Sequence, residues 1–283
     1  MVCPKFGTPI EQFQIGPVVR KTHFSTSYKA VDRADNSAVT IEVANRISFD
    51  SPQKIKEYYQ RARRTGSLEH PNIHLPSQFS VTEGNSPFFI WMPPPAHDLW
   101  HRLEHSGNLG AQEVATIFVR MCEVLIYARS NGVVRTAIYP GDLLIGDDQG
   151  SAFLTGFERE LVQSCASTGE YAVHIETVYK APESCLSISL SIKDCERTDV
   201  YILGCLMAEA CSGRPLELPD SFTKFVSGHD FQKSVRWLSS QPESDALDKS
   251  KPIHRIICKC IELNPMHRYL DLSGLRDELL SVL

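Results

Sequence analysis

Three consecutive prolines, in MPPPA at residues 92–96, divide this 283-residue chain. Proline has no backbone N–H to give to a ladder, so no central strand runs through them. The chain differs in kind on the two sides. Before the prolines, FQIGPVVRKTHFSTSYKAVD and SAVTIEVANRI are β-branched and aromatic runs separated by the turn-like RADN. After them helical spacing prevails, as where AQEVATIFVRMCEVLIYARS sets Val114, Ile117, Phe118, Met121 and Leu125 at helical intervals. The pattern predicts an α+β chain in two parts: a small β-rich N-terminal lobe over about residues 10–92, a linker at about 93–97, and a larger, mainly helical lobe over about 98–283.

Smaller signals fill in this outline. SPQKIKEYYQRARRTGSL reads as the one helix of the first part, with Ser51 as N-cap and Pro52 suited to the first turn. FSVTEGNSPFFIWM reads as a hairpin through Glu83, Gly84 and Asn85. VYILGCLMAEACSG is nearly all apolar, which predicts a buried central helix. KPIHRIICKCIEL and LSGLRDELLSVL predict further amphipathic helices.

Charge and composition exclude several classes of partner. The net charge is −5, so no bulk positive field recruits nucleic acid or an acidic membrane. The short basic cluster RARR, residues 61–64, reads as a solvated helix face. No stretch approaches the roughly 18 apolar residues of a membrane span, and the N-terminal MVCPKFGTPIEQFQIG lacks the apolar core of a signal peptide. Nine scattered cysteines without a CxxC are expected to be reduced and packed as small apolar residues, in a cytoplasmic protein without bound metal.

Taken in order, these segments resemble the eukaryotic-type protein kinases, of serine/threonine type, over almost the whole chain. FQIGPVVRKTHFSTSYKAVD has the frame of the glycine-rich strand pair, and SAVTIEVA sits where the V-A-I-K strand belongs. LEHPNI resembles the turn after the C-helix, and SNGVVRTAIYPGDLLI the catalytic loop. YKAPE contains an intact A-P-E, TDVYILGCLMAEACSGRPL resembles the central helix, and LNPMHRYLDLSGLRDEL the closing helices. The resemblance implies the bilobal kinase fold, with MPPPA as its hinge.

Measured against that family, the catalytic positions depart and the scaffold positions remain. Kinase catalysis rests on a backbone loop over the phosphates, a strand lysine held by a C-helix glutamate, a catalytic aspartate, and metal ligands from an asparagine and the D-F-G aspartate. Here the three loop glycines fall at Arg20, Thr22 and Ser25, whose side chains fill space that backbone needs to approach phosphate. Arg20 and Lys21 are able in turn to attract phosphate. The lysine falls at Glu42 and the C-helix glutamate at Arg61, so the family's ion pair is expected with its charges reversed. H-R-D-L-x-x-x-N becomes Arg135-Thr136-Ala137-Ile138 with Asp142 at the asparagine position and Tyr139 at the lysine. D-F-G becomes Gly156-Phe157-Glu158, or Thr155 takes the aspartate position; neither residue is a strong magnesium ligand. Trp91 falls at the gatekeeper and Pro94 where a hinge N–H meets adenine. Glu183 of A-P-E and Arg268 match the family's buried anchoring pair, Asp199 its brace to the catalytic loop, and Gly204 a point of close helix packing.

The resemblance with these departures implies a catalytically inactive kinase-like domain with little or no ATP binding and no cofactor. Such a domain works through a protein partner, an active kinase among the candidates, as scaffold or allosteric regulator. Candidate surfaces are the C-helix around Arg61, residues 156–183, and residues 220–250 with Phe222, Phe225, Phe231 and Trp237. Two alternatives stand beside it: an atypical transferase using the relocated charges of Arg20, Lys21 and Asp142, and a nucleotide sensor without turnover.

Overall fold

A computed structural model describes residues 4–22, 24–45, 47–94, 96–135, 137–146, 150–159, 161, 179, 181, 183–184, 192–214, 250–262 and 264–283. Residues 220–249, and with them Phe222, Phe225, Phe231 and Trp237, lie outside the described residues. The chain has the expected α+β organisation, with a β-sheet part and a helical part. It forms two compact units: residues 1–95 with 128–134 and 155–174, and residues 96–127 with 135–154 and 175–283.

In the first unit a six-stranded sheet is built from β1 (Lys5–Phe6), β2 (Phe13–Lys21), β3 (Ser25–Asp32), β4 (Ala38–Ala44), β5 (Gln78–Val81) and β6 (Pro87–Trp91), in the order β1-β5-β6-β4-β3-β2. All neighbours are antiparallel except β1, which lies parallel to β5. β1 is too short to show a period in the sequence, so the strand expected third is fourth here. The β5–β6 hairpin turns through the expected residues, with Asn85 at φ 61 and Asn85 N–H donating to the Thr82 carbonyl at 2.9 Å.

Alternation along β4 divides the core in two. Val39 and Ile41 join Phe13, Ala30, Phe88 and Ile90 on one side of the sheet. Ala44 joins Phe79 and Phe89 on the other, against Tyr58 and Ala62 of helix α1 (Pro52–Gly66). Burying each such large apolar side chain contributes about 1.5–3 kcal/mol. α1 starts as expected, with Ser51 as N-cap accepting from Lys54 N–H and Pro52 in the first turn.

The second unit contains α2 (Leu99–Ser106), most of α3 (Ala111–Ser130), α4 (Ile192–Ser212), α5 (Pro252–Cys260) and α6 (Leu272–Leu280). A small sheet, β7 (His97–Asp98), β8 (Leu143–Ile145) and β9 (Ala152–Leu154), runs antiparallel throughout. From Val200 to Ala210 every residue of α4 is buried, as its apolar sequence requires. Gly204 lets α5 approach: a Cβ there would lie 2.5 Å from Cys260 Cβ and 2.9 Å from Ile261 Cγ2. Among the described residues no helix is long and apolar enough to cross a membrane.

Candidate functional site

In the first unit Glu42, Ser25 and Trp91 gather on the face of the sheet that carries Phe89. Glu42 pairs in register with Phe89 on β6 and Ser27 on β3, so Ser25 and Trp91 are its diagonal neighbours on that face. Both act as donors: Trp91 Nε1–H reaches Glu42 Oε2 at 2.8 Å, and Ser25 Oγ–H reaches Oε1 at 2.5 Å. The carboxylate is thus held from both sides by neutral groups. The Trp91 ring also lies 5.4 Å from that of His74, whose imidazole burial pushes below its ordinary value.

This arrangement corrects one expectation. Among the described residues no ion pair joins Glu42 to Arg61, which is exposed on α1. The strand neighbours satisfy the carboxylate without crossing to the helix. Strand register and the period of two would have found Ser25 and Trp91, but neutral donors leave no charge signature in a sequence.

The turn that replaces the glycine loop is closed by its own side chains. Thr22 N–H donates to the Ser25 carbonyl at 2.8 Å, and Ser25 N–H donates to Thr22 Oγ1 at 2.9 Å. Asn45 then ties the turn to β4, with Nδ2–H on the Thr22 carbonyl and Oδ1 accepting from Thr26 Oγ1. Arg20 and Lys21 end β2 and are exposed. Pro94 is exposed beyond β6. Gly156 is buried with φ 84, a conformation an aspartate adopts only under strain; Phe157 and Glu158 beside it are fully buried.

In the second unit the catalytic-loop segment is organised by an ion pair that the sequence reading missed. Arg135 and Asp142, 1% and 0% exposed, meet at 2.8 Å. Arg135 Nη2 also donates to the Ala137 carbonyl at 2.8 Å, and Tyr139 N–H donates to Asp142 Oδ2 at 3.1 Å. By the resemblance Arg135 stands at the family's histidine position and Asp142 at its asparagine position, and their complementary charges were the available signal. Ala137 carries no titratable group. The Tyr139 ring meets Tyr179 edge-on, and Tyr179 Oη donates at 2.6 Å to Glu209, which Trp100 Nε1–H also reaches at 3.2 Å.

The structure brings Glu183 and Arg268 together in a two-pronged pair at 2.6 and 3.0 Å. Arg268 also donates to the carbonyls of Glu262 and Arg197 and lies over the Tyr201 ring at 4.7 Å. Thr198 Oγ1 donates to Glu183, and Asp199 is buried beside it in α4. Among the described residues no three His, Cys, Asp or Glu side chains are already gathered for a metal ion.

Comparison with known proteins agrees with this frame. The family described as Protein kinase domain matches residues 16–276. The chain is 21% identical over 276 residues to the serine/threonine-protein kinase PknB of Mycobacterium leprae, covering 96% of this chain and 43% of that protein. It is 23% identical over 259 residues to the probable serine/threonine-protein kinase CA_C1728 of Clostridium acetobutylicum, covering 90% of this chain and 37% of that one. The chain therefore spans less than half the length of these curated relatives. The matches correct the expectation of a catalytically inactive, non-enzymatic scaffold: the relatives are named serine/threonine-protein kinases, and the kinship points to an enzyme. At such identities they support the kinase family and nothing narrower.

Proposed function

Because this chain belongs to the protein kinase family, whose match covers residues 16–276, we propose that it is a phosphotransferase of the serine/threonine protein kinase type with unorthodox site residues. In this reading it moves the γ-phosphoryl group of ATP to a protein hydroxyl. The observation that carries it is the Arg135–Asp142 pair. Breaking a buried pair by removing one partner costs about 3–5 kcal/mol, so a loop decaying at random would leave a buried charge without its complement. Here both altered positions complement each other, which supports a loop kept in working order.

The chemistry tolerates such a change of parts. Phosphoryl transfer passes through a loose transition state that asks for positioning and charge more than for covalent partners. Arg20 and Lys21 are the cations assigned to phosphate charge, in place of the lysine that Glu42 replaces. Ala137 supplies no base, and a positioned base contributes about 10²–10⁴-fold. Turnover is therefore expected that far below the usual range of about 1–100 s⁻¹. The partner is a protein bearing the acceptor hydroxyl; the net charge of −5 favours no nucleic acid. The free thiols of Cys122, Cys205 and Cys260 support a reducing, cytoplasmic setting.

The test is transfer of label from γ-labelled ATP, with magnesium or manganese, to a generic protein substrate. Slow incorporation is expected, falling at least about tenfold in Arg20→Met/Lys21→Met. A folded chain that transfers no label with either metal rejects the reading.

A further inference from the structure

Three histidines stand in a column where the chain enters α2. His101 and His105 lie one turn apart on the helix, and His97 precedes it in β7. The His97 and His101 ring centroids are 4.2 Å apart with planes 27° from parallel; those of His101 and His105 are 4.0 Å apart at 28°. His97 and His105 are exposed and His101 is half-buried, so the column is open to solvent.

One hydrogen bond fixes the tautomer at the end of this column. His105 Nδ1 lies 2.9 Å from the His101 carbonyl oxygen. A carbonyl only accepts, so Nδ1 carries the proton and Nε2 carries the lone pair. A histidine bound to a metal is oriented in the same way, by giving its other N–H to a carbonyl or carboxylate. Residues four apart on a helix share a face, and imidazoles at that spacing act as paired ligands.

We propose that His101 and His105 form a chelate for an imidazole-preferring transition cation, zinc, nickel or copper(II), bound through Nε2 of His105 and a ring nitrogen of His101. Zinc–nitrogen bonds of about 2.0–2.1 Å in a tetrahedron set the two nitrogens roughly 3.4 Å apart. The rings, whose centroids are 4.0 Å apart, rotate out of their stack to turn the two in-plane lone pairs onto one ion. Water completes the coordination. Magnesium and calcium prefer oxygen ligands and are not expected to compete. A chelate across one turn would fix α2, which has eight residues and is short for a self-supporting helix.

Isothermal titration of the untagged chain with zinc chloride is expected to show one ion per chain, while magnesium chloride gives no binding heat. His101→Gln and His105→Gln are each expected to weaken zinc at least about tenfold, as losing even an orienting partner of a ligand does. Their melting temperatures without metal should stay close to that of the unaltered chain, because His105 is exposed and His101 only half-buried. Zinc binding of unchanged strength in the double variant overturns the proposal, and so does an unaltered chain that takes up no zinc. Diethyl pyrocarbonate labelling of the unaltered chain gives the same answer without substitution: zinc should protect His101 and His105, and labelling that zinc does not change overturns it.

Discussion

Glu42 takes its hydrogen bonds from an indole and a hydroxyl, so its place on the sheet depends on neighbours that carry no charge. Trp91→Phe removes one donor and is expected to lower stability by about 1–3 kcal/mol in chemical denaturation, since the half-buried carboxylate loses a partner. Restoring the family's lysine is no repair: Glu42→Lys leaves both donors facing a cation and should destabilise more than Trp91→Phe. A Glu42→Lys chain as stable as the original would show that these bonds matter little. The second residue-scale prediction concerns Arg135 and Asp142. Arg135→Met alone should cost about 3–5 kcal/mol by leaving a buried carboxylate without its cation. Arg135→His/Asp142→Asn, which reinstates the family's pair, should recover most of that loss; a cycle showing simple additivity refutes the coupling. Both sites were half legible in the sequence. VTIE and RTAI-x-x-x-D located Glu42, Arg135 and Asp142 by register against the family, but their partners were not read from it. Register against the family's C-helix glutamate sets Arg61 as the counterpart of Glu42, whereas the donors that hold Glu42 are polar groups of no net charge on adjoining strands.

Elements were more legible than partners where a period ran long enough. α3 spans the segment whose apolar spacing announced it, and α1 begins at the cap that Ser51 and Pro52 advertised. α4 begins at Ile192, well before the apolar run from Val200, because its polar first turns carry no apolar period although their backbone continues the helix. Gly204 and Gly274 make opposite predictions at this scale. Gly204→Ala places a Cβ 2.5 Å from Cys260 and should cost about 1–3 kcal/mol by overpacking. Gly274→Ala meets nothing nearer than Asp271 Oδ1 at 3.5 Å and should gain up to about 1 kcal/mol of helix propensity. Equal melting shifts in the two variants would contradict this account. The α4–α5 contact also predicts alkaline lability. Burial pushes the Cys205 thiol from an ordinary 9.0 up to about 12 and raises Cys260 as well. The thiolate then forms first in the unfolded chain, so this contribution is whole below about pH 9 and is lost as pH rises toward 12. The melting temperature should fall above about pH 9, and Ellman's reagent at pH 8 should reach Cys205 only after denaturation. Reaction of Cys205 in the native chain would overturn it.

At the scale of the molecule, the order of strands, prolines and helices was sufficient for the fold, because each segment's pattern agrees with its place in the family's sequence of elements. The site was less legible, since its residues are defined by what the fold places beside them. Arg268 shows how far such placement reaches: it holds Glu183 from 85 residues away and caps the carbonyls of Glu262 and Arg197 in the same contact. Arg268→Lys keeps the charge but loses the planar fork, and should cost at least about 1.5–3 kcal/mol with earlier proteolysis. A lysine variant as protease-resistant as the original would show that charge alone suffices. The same contact has a consequence for biosynthesis. The ribosome makes the carboxylate 85 residues before the guanidinium that neutralises it, an interval on the order of 4–17 s at about 5–20 residues per second. For that time the nascent helical unit carries the Glu183 carboxylate without its cation, so its final anchoring comes late in translation and leaves a window in which a chaperone or a protease meets the unlocked form first.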